Sequence, residues 1–353
     1  MFDFGIELDS ADTVSHFRLW PTTGERTALI DGDMLPYIVG HGSDEHRATY
    51  DEDGKYLAER CNVMDALLNS WVTGAICDSA IIYITGDTNF RNEVAIQQQY
   101  KGTRKAEKPP FFKELRYHLW AEHNAIMSDN CEADDLMSIK QTSSLRDSEE
   151  MERFYAQTVI VSKDKDLRIV RGYNCNPTDF TTTFTWGIGE LEPEYRTKEA
   201  VAYTVVWLKD GEPYQGDDEA CIDRFQRGPN KGKPKTKRIK NGTEIVEYIH
   251  KLRGSGLSFF YAQCIMGDTV DGYSGLKGAG GTLAYMTLKD CETELELYEA
   301  TLSLYREKLG DGINVTCWDT GLDIFLTPEL MLREQARLAW MQEKEGELWR
   351  PPN

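Results

Sequence analysis

The sequence has no apolar run approaching the ~20 residues that a membrane-spanning helix needs, so no membrane span is expected. Its first residues, MFDFGIELDS, lack the basic start and apolar core of a secretory leader. There is no CxxC pair and no histidine-rich cluster, which argues against zinc. Eight cysteines are scattered at 61, 77, 131, 175, 221, 264, 291 and 317 and read as reduced core thiols of a cytoplasmic protein (the host cytoplasm, for a phage protein). Basic residues are in short supply, 40 Lys and Arg against 59 Asp and Glu, for a net charge of −19. That excludes a chain coated in basic surface that binds nucleic acid everywhere, but not a local basic stripe. No internal repeat is found. What is present is 40% hydrophobic residues, 11% of all residues being aromatic, in a chain of 353 residues. This suffices for a sizeable core in two domains, or in one with insertions.

Acids recur at the ends of strand-like runs. Thr27–Ile30 runs into Asp31-Gly32-Asp33. Ala80–Thr85 runs into Gly86-Asp87. Ala125–Met127 precedes CEADDL, Cys131–Leu136, where Glu132, Asp134 and Asp135 crowd a helix start. Thr158–Ser162 runs into Lys163-Asp164-Lys165-Asp166. Between the first two runs, 41 to 55 reads as polar loop and Gly54–Ser70 as a helix with Leu57, Cys61, Val63, Met64, Leu67 and Leu68 on one side. Continuous apolar strands alternating with helices predict an α/β fold with a central, mostly parallel sheet covered by helices. In such sheets sites lie beyond the carboxyl ends of the strands, where all four acidic segments fall.

Any one of these acids could be a helix cap or part of a solvated loop. Four segments delivering acid to one edge point instead to hard divalent cations, which oxygen-only ligands select. Two such ions about 4 Å apart can activate water and stabilise a leaving oxygen in phosphodiester hydrolysis. Asp164 and Asp166, at i and i+2 on a strand end, would face the same way; Glu132 and Asp135 would share a helix face. After Asp87, Tyr100-Lys101-Gly102-Thr103-Arg104-Lys105 carries charge that is either a solvated face or, if helical, a pair (Lys101 and Arg104) spaced to grip a phosphate. Gly272–Gly281 (GYSGLKGAGG), just after Asp268 and Asp271, is either an ordinary turn or one whose N–H groups approach phosphates.

Taken in order, LIDGD, GDTNFR…YKGTRK, CEADDL, VSKDKDL and IMGDTVDGYSGLKGAGG resemble the structure-specific 5′ nucleases, the flap endonuclease/5′→3′ exonuclease family, and within it the exonucleases of T-odd bacteriophages. The closing GELWRPP is similar as well. The resemblance spans most of residues 27 to 172 and 257 to 285. It implies a first metal site at Asp31, Asp87, Glu132 and Asp134, with Asp135 in support. A second would be held or oriented by Asp164, Asp166, Asp268 and Asp271. The ions would be two Mg²⁺, with Mn²⁺ as substitute. Lys101 and Arg104, both acting with Asp134 and Asp164 in catalysis, would lie on a helical arch at 88 to 118 and contact DNA there together with Tyr100 and Lys105. Gly275, Lys277, Gly278, Gly280, Gly281 and Thr282 would form a helix-hairpin-helix-type grip on duplex DNA within 257 to 290, sometimes with K⁺. Substrates would be 5′ ends or flaps of duplex DNA and RNA primers on DNA, in phage replication, recombination and DNA degradation.

The domain expectation is an N-terminal arm (1–24), a nuclease core (25–172), an insertion (173–256) and a helical region (257–353). The insertion is long for the family and carries a basic segment, Arg227–Lys240, expected to be a loop. Three rivals use the same residues. In a phosphatase of the haloacid dehalogenase type, Asp31-Gly32-Asp33 would supply a covalent nucleophile. A catalytically inactive DNA-binding relative would keep the fold alone. A PIN-type ribonuclease would share the acids without the hairpin element. The sequence leaves oligomeric state open.

Overall fold

The computed structural model describes residues 25–40, 55–103, 107–145, 156–228 and 230–352. The N-terminal arm, most of the polar loop at 41 to 55, and the expected phosphate contacts Arg104 and Lys105 lie outside the described residues. Pro193–Lys251 forms one compact unit; the chain up to Glu192 and from Leu252 forms another.

In the larger unit, β-branched runs form the strands. β1 (Thr27–Asp31) pairs in parallel with β2 (Ser79–Ile84) on one side and β4 (Thr158–Val161) on the other. β3 (Ile126–Met127) adds in parallel beyond β2, β5 (Gly172–Cys175) in parallel beyond β4, and β6 (Thr182–Thr185) antiparallel at the edge. The order is β3-β2-β1-β4-β5-β6. Alternation sends Ala28, Ile30, Ile82, Ile84, Val159 and Val161 to one face, where they pack with α1 (Met34–Gly40), α2 (Lys55–Gly74) and α4 (Phe112–His123). α3 (Arg91–Val94) is a single turn after β2. Leu29, Tyr83 and Ile160, also buried, fall on the opposite face, against which α5 (Ala133–Ser144) packs. The central strands β1 and β4 are thus covered on both sides, which is why they read as near-continuous apolar runs, whereas β3 at the edge is exposed.

Three expectations shift. The sheet does not stop at residue 172: β5 and β6 complete it, and the separate unit begins only near Pro193. On α2 the buried positions are Tyr56, Met64, Leu68 and Trp71, at spacings of three and four or their multiples, while Val63 points outward. Within the smaller unit, β7 (Leu191–Lys209), β8 (Glu212–Tyr214) and β9 (Thr236–Gly254) form a three-stranded sheet. The end of the basic segment, Thr236–Lys240, is therefore strand rather than loop.

The C-terminal part of the larger unit is helical. α6 (Gly256–Met266) is buried nearly all round by α7 (Gly281–Leu288), α8 (Glu294–Leu309) and α9 (Pro328–Ala339), which explains its uniform apolarity. A capping box, Thr293 with Glu296, starts α8. The hairpin β10 (Ile313–Thr316) and β11 (Asp323–Leu326) interrupts the region expected to be helical. Among the described residues no helix is long and apolar enough to cross a membrane.

Candidate metal centre

β1 delivers Asp31 to the carboxyl edge of the sheet. The turn that follows presses against β2: Gly32 N–H donates to Tyr83 O at 2.8 Å, and a Cβ on Gly32 would sit 2.6 Å from that oxygen, so no larger residue fits. Asp31 is buried; Ser162 Oγ donates to its Oδ2 at 2.8 Å and Asp33 N–H to its Oδ1 at 3.2 Å. Burial, then the charge of Asp33, push Asp31 up to about 7 despite Ser162; Asp164 adds to the rise. Asp33 itself is engaged elsewhere, accepting from Thr85 N at 2.9 Å and from Arg116 Nη1 at 2.6 Å.

The three acids of CEADDL have three different fates. Glu132 caps α5, where negative charge suits the helix N-terminus. It accepts from Tyr100 Oη at 3.0 Å and from Lys101 Nζ at 2.5 Å. Burial alone would raise it, but Lys101 and Arg91 outweigh that and hold it below the ordinary carboxylate range. Asp134 has no hydrogen bond to its carboxylate among the described residues. Burial and the charges of Asp31, Asp164 and Glu132 raise it well above the ordinary value. Asp135 does not join this group. Its oxygens take a bidentate pair from buried Arg91 (2.6 and 2.9 Å) and accept from the N–H groups of Glu132 and Gln342 at 3.0 and 3.1 Å. Arg91 also donates to the carbonyls of Leu338 and Trp340. The residue expected to support the metal site is thus engaged as an anchor tying α3 and α5 to the C-terminal segment.

After β4, Asp164 and Asp166 do not share a strand face. Asp166 N–H donates to Asp164 Oδ1 at 2.8 Å, and a 3₁₀ turn starts at Asp166. Asp164 lies open toward solvent, yet enough protein surrounds its carboxyl to raise it, with Asp271 adding to the rise. Asp166 is buried and accepts from Gln263 Nε2. Burial and the neighbouring Asp164 push it up to about 6. Lys165 bridges Asp166 Oδ1 at 3.0 Å and Asp268 Oδ2 at 2.6 Å, so this half of the acid set already holds a cation. Asp268 also accepts from the backbone of Val270 and Asp271. Burial would raise Asp268, but the contact with Lys165 holds it low. Asp271 reaches the cluster through Tyr100 Oη at 3.4 Å, and its carbonyl accepts from Lys101 N–H at 2.8 Å.

Two arch assignments change. Tyr100 is buried, with its hydroxyl between Glu132 and Asp271, so its ring is not presented for stacking on a base. Lys101 lies in a turn with φ of +54°, not on a helix, and its ammonium sits within the acids rather than beside an outer face. Asp87 is exposed just beyond β2. Sequence reasoning missed Arg91, Ser162 and Gln263, whose roles depend on long-range packing. It read past Lys165, although that residue's place between two acids was visible.

The Gly-rich turn divides in two. Gly275 (φ +58°) is buried; its N–H donates to Gln335 Oε1 at 2.7 Å, and a Cβ there would meet Gly267 N at 2.3 Å. It closes the turn between α6 and α7 and cannot donate to a phosphate. Lys277, Gly278, Gly280 and Thr282 are exposed, and Gly280 starts α7 without a side-chain cap. With Gly281, half-buried as the first residue of α7, they leave the helix N-terminus open to an anion.

The donor set suits a hard divalent ion. Asp31, Glu132, Asp134 and Asp164 offer oxygen only, and three of them, Asp31, Asp134 and Asp164, are raised, first by burial and then by neighbouring carboxylates. Among the described residues no three of these acids place oxygens within 4.8 Å of one another. Mutual repulsion spreads like charges, and Lys101 occupies part of the space between them.

No family model matches the sequence, and no curated protein matches it significantly. Solved structures do. One is bacteriophage T5 D15 flap endonuclease in a pseudo-enzyme-product complex with DNA and metal ions, at 12% identity and a TM-score of 0.44, covering 89% of each chain. Another is T5 D15 protein co-crystallised with metal ions, at 11% identity and 0.43, again covering 89% of each. A third is T5 5′-exonuclease with zinc bound, at 13% identity and 0.42, also covering 89% of each.

Proposed function

We propose that this protein is a divalent-metal-dependent nuclease that hydrolyses phosphodiesters at the 5′ ends or flaps of duplex DNA, and of RNA primers on DNA. One observation carries the reading: Asp134, a half-buried carboxylate with no hydrogen bond among the described residues, faces the charges of Asp31, Asp164 and Glu132 at the carboxyl edge of a parallel sheet. Carboxylates crowded together away from water, with one ammonium among them, are costly and are retained where a further cation binds. Asp31, Glu132, Asp134 and Asp164 would hold the first ion. Asp166, Asp268 and Asp271 would serve a second once the half-exposed Lys165 side chain swings out. Bound there, Mg²⁺ or Mn²⁺ would supply an acidified water and offset charge on the phosphate.

The chain's own groups do the rest. Lys101, on the arch segment 88 to 118, sets an ammonium beside the acids, where it can meet a phosphate oxygen. Lys277, Gly278, Gly280, Gly281 and Thr282 offer a charge, a hydroxyl and open N–H groups to the DNA backbone, with K⁺ as a bridging ion at the turn. Such contacts position duplex without reading sequence. Asp33 bears on the phosphatase reading: Arg116 and Thr85 already hold the second acid of the DxD pair, leaving it no proton-transfer role.

The test is cleavage of 5′-labelled blunt, nicked and flapped duplexes, with and without Mg²⁺, and sizing of the first product. Mg²⁺-dependent release from the 5′ end is expected, with turnover collapsing in Asp134→Asn and Asp164→Asn while DNA binding stays near intact. Full activity in both variants, or none in the wild type, would reject the assignment.

A further inference from the structure

We propose a second, separate metal site, formed by Asp65 of α2 with His118 and His123 of α4, that takes a zinc-type ion and clamps the two helices together. The sequence contains no motif for it, since Asp65 stands 53 residues before His118. Folding nevertheless brings both imidazoles onto one oxygen: His118 Nε2 lies 2.8 Å and His123 Nε2 2.7 Å from Asp65 Oδ1. The rings stand 5.4 Å apart at 66°. All three side chains are half-buried or nearly so, and their donor atoms all lie within 4.8 Å of one another.

Two imidazoles converging on one carboxylate oxygen can be a pair of hydrogen bonds. The same convergence also sets two ring nitrogens and an acid around one point. A tetrahedral ion with bonds of ~2.0–2.1 Å separates its ligands by about 3.3 Å. Each ring nitrogen needs to move away from Asp65 Oδ1 by only about half an ångström to reach that separation. Imidazole selects zinc and its neighbours over Mg²⁺, so this set is chemically distinct from the oxygen-only acids at the sheet edge. Water can complete the shell. The cleft beside it, about 540 Å³ and lined by Cys61, His118, Glu114 and Glu122, gives that water access.

The consequence is mechanical. α4 also carries Arg116, which holds Asp33 and the Thr85 carbonyl at the strand ends. An ion linking α2 to α4 would fix the helix that supports that edge, stabilising the fold without touching the reacting atoms.

The test uses the full chain stripped with a chelator and titrated with Zn²⁺ alone by calorimetry and with Co²⁺ by visible absorption. An Asp134→Asn/Asp164→Asn variant removes the acid site. In that variant one Co²⁺ should still bind with a four-coordinate spectrum. His118→Ala/His123→Ala should weaken Zn²⁺ binding by more than the roughly 10–100-fold that follows removal of a residue that only hydrogen-bonds a ligand. Zinc X-ray absorption on the acid-site variant should show two imidazoles, a readout that does not depend on the histidine variant folding. An oxygen-only shell, binding unaltered by the histidine changes, or no binding in the acid-site variant would overturn the proposal.

Discussion

Asp31→Asn offers the most quantitative check on the acid cluster. In the metal-free protein burial and the charges of Asp33 and Asp164 take Asp31 from 3.8 to about 7. Below about pH 4 the folded and unfolded chains both hold the proton, and the group's contribution to stability is fully present. As pH rises from about 4 the unfolded chain releases it and the folded chain does not, so stability falls until pH passes the folded value near 7. About three pH units at ~1.4 kcal/mol each give a loss of about 4 kcal/mol, an upper bound because neighbouring carboxyls share the titration. Asparagine keeps a carbonyl oxygen for Asp33 N–H and an amide for Ser162 Oγ, and it has no charge to lose. Urea unfolding in chelator should therefore show the two proteins equal near pH 4 and Asp31→Asn more stable by up to about 4 kcal/mol near pH 8. Saturating Mg²⁺ should then favour the wild type, by about 2.7 kcal/mol at a hundredfold excess over Kd, and the variant less. A gap that does not change with pH, or equal stabilisation by Mg²⁺, would refute the reasoning.

Three further outcomes are expected. Arg91→Met leaves Asp135 buried and unpaired and should cost about 3–5 kcal/mol by chemical denaturation; activity per folded molecule should persist, whereas a ligand role for Asp135 predicts its loss. Lys101→Ala should lower kcat by about 10²–10³-fold while weakening DNA binding far less; equal falls in rate and binding would make Lys101 an anchor only. Neutralising Lys231, Lys233, Lys235, Lys237 and Arg238 should flatten the salt dependence of DNA binding, by about 0.9 in slope for each phosphate that is no longer neutralised, and an unchanged slope would show that this segment does not meet DNA.

The sheet was legible because its strands are buried on both faces and so carry apolar runs that end in acid: β1, β2 and β4 fall within a residue of their expected bounds. α2 and α6 were legible from periodicity and from length. The roles within the acid cluster were not. Glu132, Asp134 and Asp135 are near-equivalent in sequence, and what separates them is a partner from elsewhere: Lys101 for the first, none among the described residues for the second, Arg91 for the third. Tyr100 and Gly275 read as surface contacts because aromatic and glycine residues in basic or turn segments usually are. Their burial follows from Glu132 and Gln335, each dozens of residues away. His118 and His123 stand five apart in sequence, but the Asp65 that joins them comes from another helix more than fifty residues earlier.

The central claim is that the acids at the carboxyl edge of the sheet gather around divalent ions. Anomalous scattering from crystals of the wild-type protein grown with Mn²⁺ tests it most directly. The account predicts a peak ligated by oxygens of Asp31, Glu132, Asp134 and Asp164, with Lys101 displaced from between them. Manganese found only elsewhere, with these carboxylates still apart and Lys101 still among them, would contradict it.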